Sequence, residues 1–154
     1  MDLILWRHAD AEDAAPGGDD LARALTGKGE RQAARMAEWL NRRLTHSTRV
    51  LVSPARRCQQ TARALGDRRF KTVDAIGPQA TAGELLIAAG WPDANEPVLL
   101  VGHQPALGLA AALILTGFEQ PWAVKKAAVW WFRHRPRAEE GRIALHAVQS
   151  PDAL

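Results

Sequence analysis

Leu3-Ile4-Leu5-Trp6-Arg7-His8 begins with four apolar residues and ends on an arginine and a histidine, and Val98-Leu99-Leu100-Val101-Gly102-His103 repeats the design. Short apolar runs that stop abruptly at polar residues read as strands buried on both faces. Arg49-Val50-Leu51-Val52 is a third such run, leading through Ser53-Pro54 to Arg56 and Arg57. Helical patterns lie between them. Ala33, Met36, Ala37, Leu40 and Leu44 share one face of a helix expected over Lys28–Leu44, with Thr26 or a neighbour as its cap. Ser53 and Pro54 read as N-cap and first residue of the next helix, which Gly66 can close. Thr81 and Glu84 form a capping box for a short helix to Ala89, and Pro105–Thr116 is a further helix. Two last strands, Ala127–Arg133 and Ile143–Val148, join around Pro136–Gly141. Alternating strands and helices predict a three-layer α/β/α sandwich with a mainly parallel central sheet.

Composition is consistent with that architecture. The 154 residues amount to one domain, expected to span 1–154, and 47% apolar with 24% charged residues is ordinary for a globular chain. A core of this size needs neither disulfides nor a structural metal. Cys58 is the only cysteine, which excludes a disulfide scaffold. The longest apolar stretch, Pro105–Gly117, falls far short of a membrane span, and Met1-Asp2 runs into the first strand without a signal peptide. A cytoplasmic location is the expectation. The net charge of +3 is unevenly spread: Asp10, Glu12, Asp13, Asp19 and Asp20 crowd around Arg23, whereas Arg133, Arg135, Arg137 and Arg142 gather near the C-terminus. That basic end has no interleaved aromatics on a basic helix, so it reads as a solvated hairpin rather than a nucleic-acid or membrane contact.

Function has a natural place in such a sheet, because ligands of open α/β sheets bind beyond the carboxyl ends of the strands. Arg7 and His8 follow the first strand, Arg56 and Arg57 begin the helix after the second, and Gly102 and His103 follow the third. Three strand ends thus send two histidines and at least two arginines toward one edge. Arginine's planar fork matches phosphate oxygens two at a time, and helix N-termini after Ser53 and His103 favour an anion. A neutral imidazole is a good nucleophile toward phosphorus, and a second one can hydrogen-bond the phosphoryl oxygens as charge builds. With cations already around the phosphate, no metal and no cofactor are required. The chemistry indicated is phosphoryl transfer.

Those residues resemble a known family. Leu5-Trp6-Arg7-His8-Ala9 is similar to the Arg-His-Gly signature of the histidine phosphatase superfamily, whose fold is phosphoglycerate mutase-like. Val52-Ser53-Pro54-Ala55-Arg56-Arg57 resembles its second block, where the spacing selects Arg57 over Arg56, and Val101-Gly102-His103-Gln104-Pro105 resembles its third. Arg23-Ala24-Leu25-Thr26 followed by Gly29 resembles a stretch of the small SixA-type phosphohistidine phosphatases. The likeness runs from Leu3 to about Gly117. It implies that His8 carries the phosphate, with Arg7, Arg57 and His103 as the phosphate pocket. It also implies a phosphohistidine-bearing protein as substrate and a chain that acts as a monomer.

Departures from the pattern refine the expectation. Ala9 stands where glycine is commoner, although a small residue still fits a close turn. Thr61 to Val98 leaves no room for the insertion that mutases and sugar phosphatases use to cover small substrates. A shallow, open site follows, suited to phosphate on a protein; a small-molecule phosphomonoesterase or mutase of the same superfamily is the alternative. Glu84 is the nearest candidate for the family's carboxylate acid, and it can equally serve only as a helix cap. Other chemistries fail on spacing. Arg63 lies one residue too close to Cys58 for a cysteine-phosphatase loop, Gly27-Lys28 lacks the upstream glycine of a P-loop, and no Gly-x-Ser-x-Gly elbow occurs. His46, His134 and His146 have no zinc-ligand spacing and read as surface or strand-face residues. Trp6, Trp39, Trp130 and Trp131 read as packing.

Overall fold

The apolar runs become the centre of one six-stranded sheet. The computed structural model describes residues 1–154, with strands β1 (Asp2–Arg7), β2 (Arg49–Val52), β3 (Lys71–Thr72), β4 (Val98–Gly102), β5 (Val129–His134) and β6 (Ile143–Gln149). Their order across the sheet is β3-β2-β4-β1-β5-β6. β1, β2, β3 and β4 pair in parallel, and β5 runs antiparallel to β1 and to β6. Helices α1 (Gly27–Asn41), α2 (Arg56–Arg63), α3 (Ala82–Ala89) and α4 (Ala106–Thr116) complete the fold.

Alternation along the central strands distributes the core into two layers. Ile4 and Trp6 of β1 join Val50, Val52, Leu99 and Val101 against α1 and α2. Leu3 and Leu5 join Leu51, Val98 and Leu100 against α3 and α4. The three-layer sandwich expected from the sequence is therefore present. Trp6 is fully buried, and its indole N–H donates to Ala127 O at 2.9 Å.

Boundaries differ from expectation where side chains found other partners. Thr26 caps α1 by accepting from Gly29 N–H, but the helix stops at Asn41; Leu44 N–H still bonds Leu40 O in a closing turn that keeps Leu44 buried. Ser53 and Pro54 do not start α2. Its N-cap is Ala55, without a side-chain cap, because Ser53 Oγ is engaged by a histidine beyond β4 as well as by Ala55 N–H. α2 ends at Arg63, and Gly66 turns the chain with φ +82° after it. Edge strand β3, two residues long, carries no pattern a sequence reading can detect. α3 covers Ala82–Ala89 as expected, with Glu84 N–H donating to Thr81 Oγ1 at 3.1 Å; Glu84 Oε1 accepts from the Thr81 hydroxyl rather than from its backbone N–H.

Two glycines permit close approaches that set the loops. A Cβ on Gly108 would stand 1.8 Å from Trp122 O, where the segment leading to β5 crosses α4. A Cβ on Gly29 would stand 2.0 Å from Asp10 O, where the segment after β1 lies on the first turn of α1. A helical Gly→Ala change ordinarily gains about 1 kcal/mol. At Gly29, backbone has to move, and overpacking costs about 1–3 kcal/mol. Gly29→Ala is expected to lower Tm by several degrees. Gly27→Ala, whose Cβ meets only the flexible Arg31 side chain at 3.4 Å, should hold or raise Tm. Thermal unfolding followed by circular dichroism checks both; an unchanged Tm for Gly29→Ala refutes the contact.

Candidate active site

Parallel pairing places the ends of β1 and β4 side by side. Arg7 is opposite Gly102, and His8 N–H donates to Gly102 O at 3.2 Å, one step past the strands. The next residue of each chain segment is then a histidine or adjoins one. The rings of His8 and His103 have centroids 5.3 Å apart, tilted by 58°. Three residues separate β2 from α2, which supplies Arg57, only 4% exposed, whereas Arg56 on the preceding position faces solvent. Arg57, the arginine that the family resemblance picks out, is the one beside His103.

Each side chain is held by a named contact. His8 Nδ1 lies 2.8 Å from Ala9 O. Ala9 is itself buried, and its N–H donates to Thr61 Oγ1 at 3.1 Å; Thr61 Oγ1 in turn donates to Arg57 O at 2.7 Å, tying α2 to the end of β1. Arg7 Nη1 donates to Val124 O at 2.8 Å. His103 Nε2 lies 2.7 Å from Ser53 Oγ, and its Nδ1 lies 3.3 Å from Arg57 Nη2. Arg57 also donates from Nη1 to Asp20 O at 2.8 Å and from Nη2 to Asp20 Oδ2 at 3.1 Å. The Nε of Arg7 and of Arg57 are buried donors without a partner.

Burial and positive neighbours set the charge states. His8 is pushed down to about 4, chiefly by burial and further by Arg57, Arg7 and Arg23, against the raising influence of Ala9 O. His103 is pushed down to about 3 by burial, His8 and Arg57. Both rings are neutral at neutral pH. Burial pushes the Cys58 thiol up to about 12, and its Sγ lies 3.5 Å from His103 Nε2. Cys58 is thus a packing residue behind the second histidine, as its position on α2 suggested, and is not a thiolate. No group of three or more His, Cys, Asp or Glu side chains is placed to hold a metal ion.

Other residues from the sequence reading fall away from this centre. His46 and His146 are exposed, and His134 stacks edge-on against Trp91. Arg133 and Arg135 pair with Asp2 on the sheet rather than forming a free basic patch. Glu84 is exposed and lines a cleft of about 580 Å³ together with Asp20, Leu21, Pro54 and Asp74. The expected open mouth needs correction. His8, Arg57 and His103 are 8%, 4% and 4% exposed, and a 3-10 turn of the segment after β1, Asp20–Ala22, lies over Arg57. Asp20 and Ser53 are contacts the sequence did not reveal: Ser53 read as a helix cap, and Asp20 was one of five acids in a charged run.

Relatives of known class share this arrangement of strands and helices. Residues 3–76 match the family model described as histidine phosphatase superfamily (branch 1). An uncharacterized protein of Picosynechococcus sp. is 34% identical over 125 residues, covering 76% of this chain and 74% of that protein. The phosphohistidine phosphatase SixA of Escherichia coli is 31% identical over 128 residues, covering 79% of this chain and 78% of it. A solved structure of the protein histidine phosphatase SixA complexed with tungstate superposes with a TM-score of 0.77 at 28% identity, covering 99% of each chain. No helix of the protein is long and apolar enough to cross a membrane. With two histidines and two arginines gathered at the ends of β1, β4 and α2, this chain belongs to the histidine phosphatase superfamily and is a phosphatase.

Proposed function

We propose that the protein is a cytoplasmic, metal-independent phosphohistidine phosphatase that removes phosphate from a histidine-phosphorylated protein, with His8 as the covalent carrier. The observation that carries this reading is the 2.8 Å contact of His8 Nδ1 with Ala9 O. A carbonyl can only accept, so Nδ1 bears the proton of the neutral ring and Nε2 keeps its lone pair. With the ring's pKa pushed down to about 4, that lone pair is available throughout the neutral range. Nε2 attacks phosphorus, the P–N bond to the substrate imidazole breaks, and the departing nitrogen takes a proton from solvent, to which the hydrolytic water later returns one. Water then attacks the phosphorus on His8, releasing inorganic phosphate and restoring the ring.

Arg7 and Arg57 supply the positive charge that a divalent ion gives in other phosphatases. Their buried, unpartnered Nε groups are donors an oxoanion's environment would welcome. Arg57 can only donate, so His103 Nδ1 accepts in the free protein and its Nε2–H points to Ser53. A phosphoryl dianion beside Arg57 raises the proton affinity of His103, which then donates from Nδ1 to a phosphoryl oxygen. The adjoining cleft is lined by Asp20, Asp74 and Glu84 without a lysine or arginine, which disfavours small anionic substrates such as phosphoglycerates. SixA-type relatives and the oxoanion complex of one of them support the same class of substrate.

A side-by-side assay on a phosphohistidine protein, an aryl phosphate and phosphoglycerates tests the proposal. Highest kcat/KM is expected on the phosphohistidine protein, and His8→Ala should abolish turnover. Brief reaction with labelled substrate should leave acid-labile phosphate on His8; label on Cys58 or a serine sinks the mechanism, and preference for phosphoglycerates favours a mutase or phosphomonoesterase.

Charge state gives an independent check. Both histidines titrate below the ordinary 6.5 in the fold, so the unfolded chain binds protons that the folded chain refuses. Their stabilising contribution is complete above about pH 6.5 and declines as pH falls toward about 4 for His8 and about 3 for His103. Nitrogen NMR of the free protein should find both rings neutral at pH 5.5, with the proton on Nδ1 of His8 and on Nε2 of His103. A midpoint near 6.5 for His8 overturns the assignment.

Leaving-group chemistry separates the two candidate roles of Glu84. An imidazole departs with little help, so Glu84→Gln, which can still accept from Thr81, should cost less than about tenfold in turnover on a phosphohistidine protein, below the 10²–10⁴ typical of general acid catalysis. A hundredfold loss at unchanged Tm makes Glu84 the acid.

A further inference from the structure

Arg57 differs from Arg7 in what holds it. Arg7 is anchored on a backbone carbonyl, Val124 O, whereas both terminal nitrogens of Arg57 are occupied by Asp20 through its carbonyl and its carboxylate. Nη2 of Arg57 lies between Asp20 Oδ2 at 3.1 Å and His103 Nδ1 at 3.3 Å. The Asp20 carboxylate therefore shares with His103 the guanidinium nitrogen that a phosphoryl oxygen held by both residues would need. Its other oxygen, Oδ1, accepts from Arg23 Nη1 at 3.2 Å.

Asp20 is poorly anchored apart from these polar contacts. Its side chain is 54% exposed, against 4% for Arg57. The 3-10 turn Asp20–Ala22 has no buried residue, and every position from Glu12 to Ala22 faces solvent. A segment whose one large apolar side chain, Leu21, is still 41% exposed opens at low cost, and a half-exposed carboxylate is readily rehydrated. The carboxylate remains ionised at neutral pH: desolvation, which would raise its pKa, is outweighed by the hydrogen bonds from Arg23 and Arg57.

We propose that Asp20 is an internal anion that competes with phosphate for the site: it occupies Arg57 in the free protein, the phosphoryl group of the substrate displaces it, and its return helps expel inorganic phosphate. This rests on the reading of Arg57 as a phosphate-binding residue. A ligand that binds only the open form has its affinity reduced by the fraction of molecules that are open. An Asp20 seated about nine-tenths of the time weakens every oxoanion about tenfold. Free phosphate has no other contact to offset that loss, whereas a phosphoprotein contributes the rest of its interface. Asp20 thereby keeps free phosphate from occupying the pocket at ordinary concentrations, while a phosphorylated protein still binds through the rest of its interface.

Inorganic phosphate and tungstate are the probes, titrated calorimetrically into the purified parent protein, Asp20→Asn and Asp20→Ala. Asparagine keeps the shape and an acceptor oxygen but removes the charge. Both variants are expected to bind both anions about tenfold tighter than the parent, and inhibition of turnover by phosphate should strengthen by the same factor. Equal or weaker binding in the variants overturns the proposal and makes Asp20 a structural partner that positions Arg57. In the parent protein, backbone amide signals of Asp20–Ala22 should shift when tungstate saturates the site; unmoved signals overturn displacement whether or not the variants fold. Failure of either anion to bind any form removes the phosphate pocket itself, a failure distinct from binding without a gain.

Discussion

One backbone hydrogen bond carries the arrangement on which the remainder depends: His8 N–H donates to Gly102 O at 3.2 Å, extending the β1–β4 ladder beyond the paired strands. It fixes the register in which Arg7 faces Gly102, so that His8 and His103 leave the sheet as neighbours. Side chains alternate along a strand, so a slip of one residue would turn Trp6 out of the α1–α2 layer and move Arg7 toward it. Burial of Ile4, Trp6, Leu99 and Val101 on one face and Leu3, Leu5, Val98 and Leu100 on the other makes such a slip costly. The core thus specifies the distance between the two histidines.

Placing cations beside two imidazoles in a buried site has a physical consequence, which is that neither ring takes up a second proton at neutral pH in the free protein. Burial and the arginines act in the same direction on both, and a neutral nucleophile with a defined tautomer is the outcome. The Arg7 guanidinium meets one carbonyl oxygen, Val124 O, and that of Arg57 a single carboxylate. The pocket is therefore primed for an anion and already holds an internal one. Its location on an exposed segment, rather than in the core, lets it be exchanged without disturbing the scaffold.

The segments that frame the site are positioned through close backbone contacts. Asp10, two residues beyond His8, lies against Gly29 and binds Gln32 and Thr26 of the α1 N-terminus, while Lys126 reaches it from before β5. Leu25 N–H donates to Gln60 of α2 at 2.7 Å. These contacts hold both ends of the Asp10–Leu25 excursion, leaving its exposed middle to carry Asp20 over Arg57. The base is packed and hydrogen-bonded, whereas the tip is exposed.

The sequence by itself determined the strand and helix pattern, the α/β/α layering, and the four residues Arg7, His8, Arg57 and His103 at the strand ends. Periodicity and residue spacing are local properties, and an apolar run that stops at a histidine is visible without coordinates. The choice of Arg57 over Arg56 came from the resemblance to the family's second block and its spacing after Ser53-Pro54. Only the tertiary structure decided that Ser53 binds His103 instead of capping α2, that β3 exists, and that Asp20 covers the site. The reason is the same in each case. A serine caps a helix or a turn equally well by local chemistry, a two-residue strand has no period, and one aspartate in an acidic run is indistinguishable from its neighbours until a buried guanidinium some way along the chain selects it.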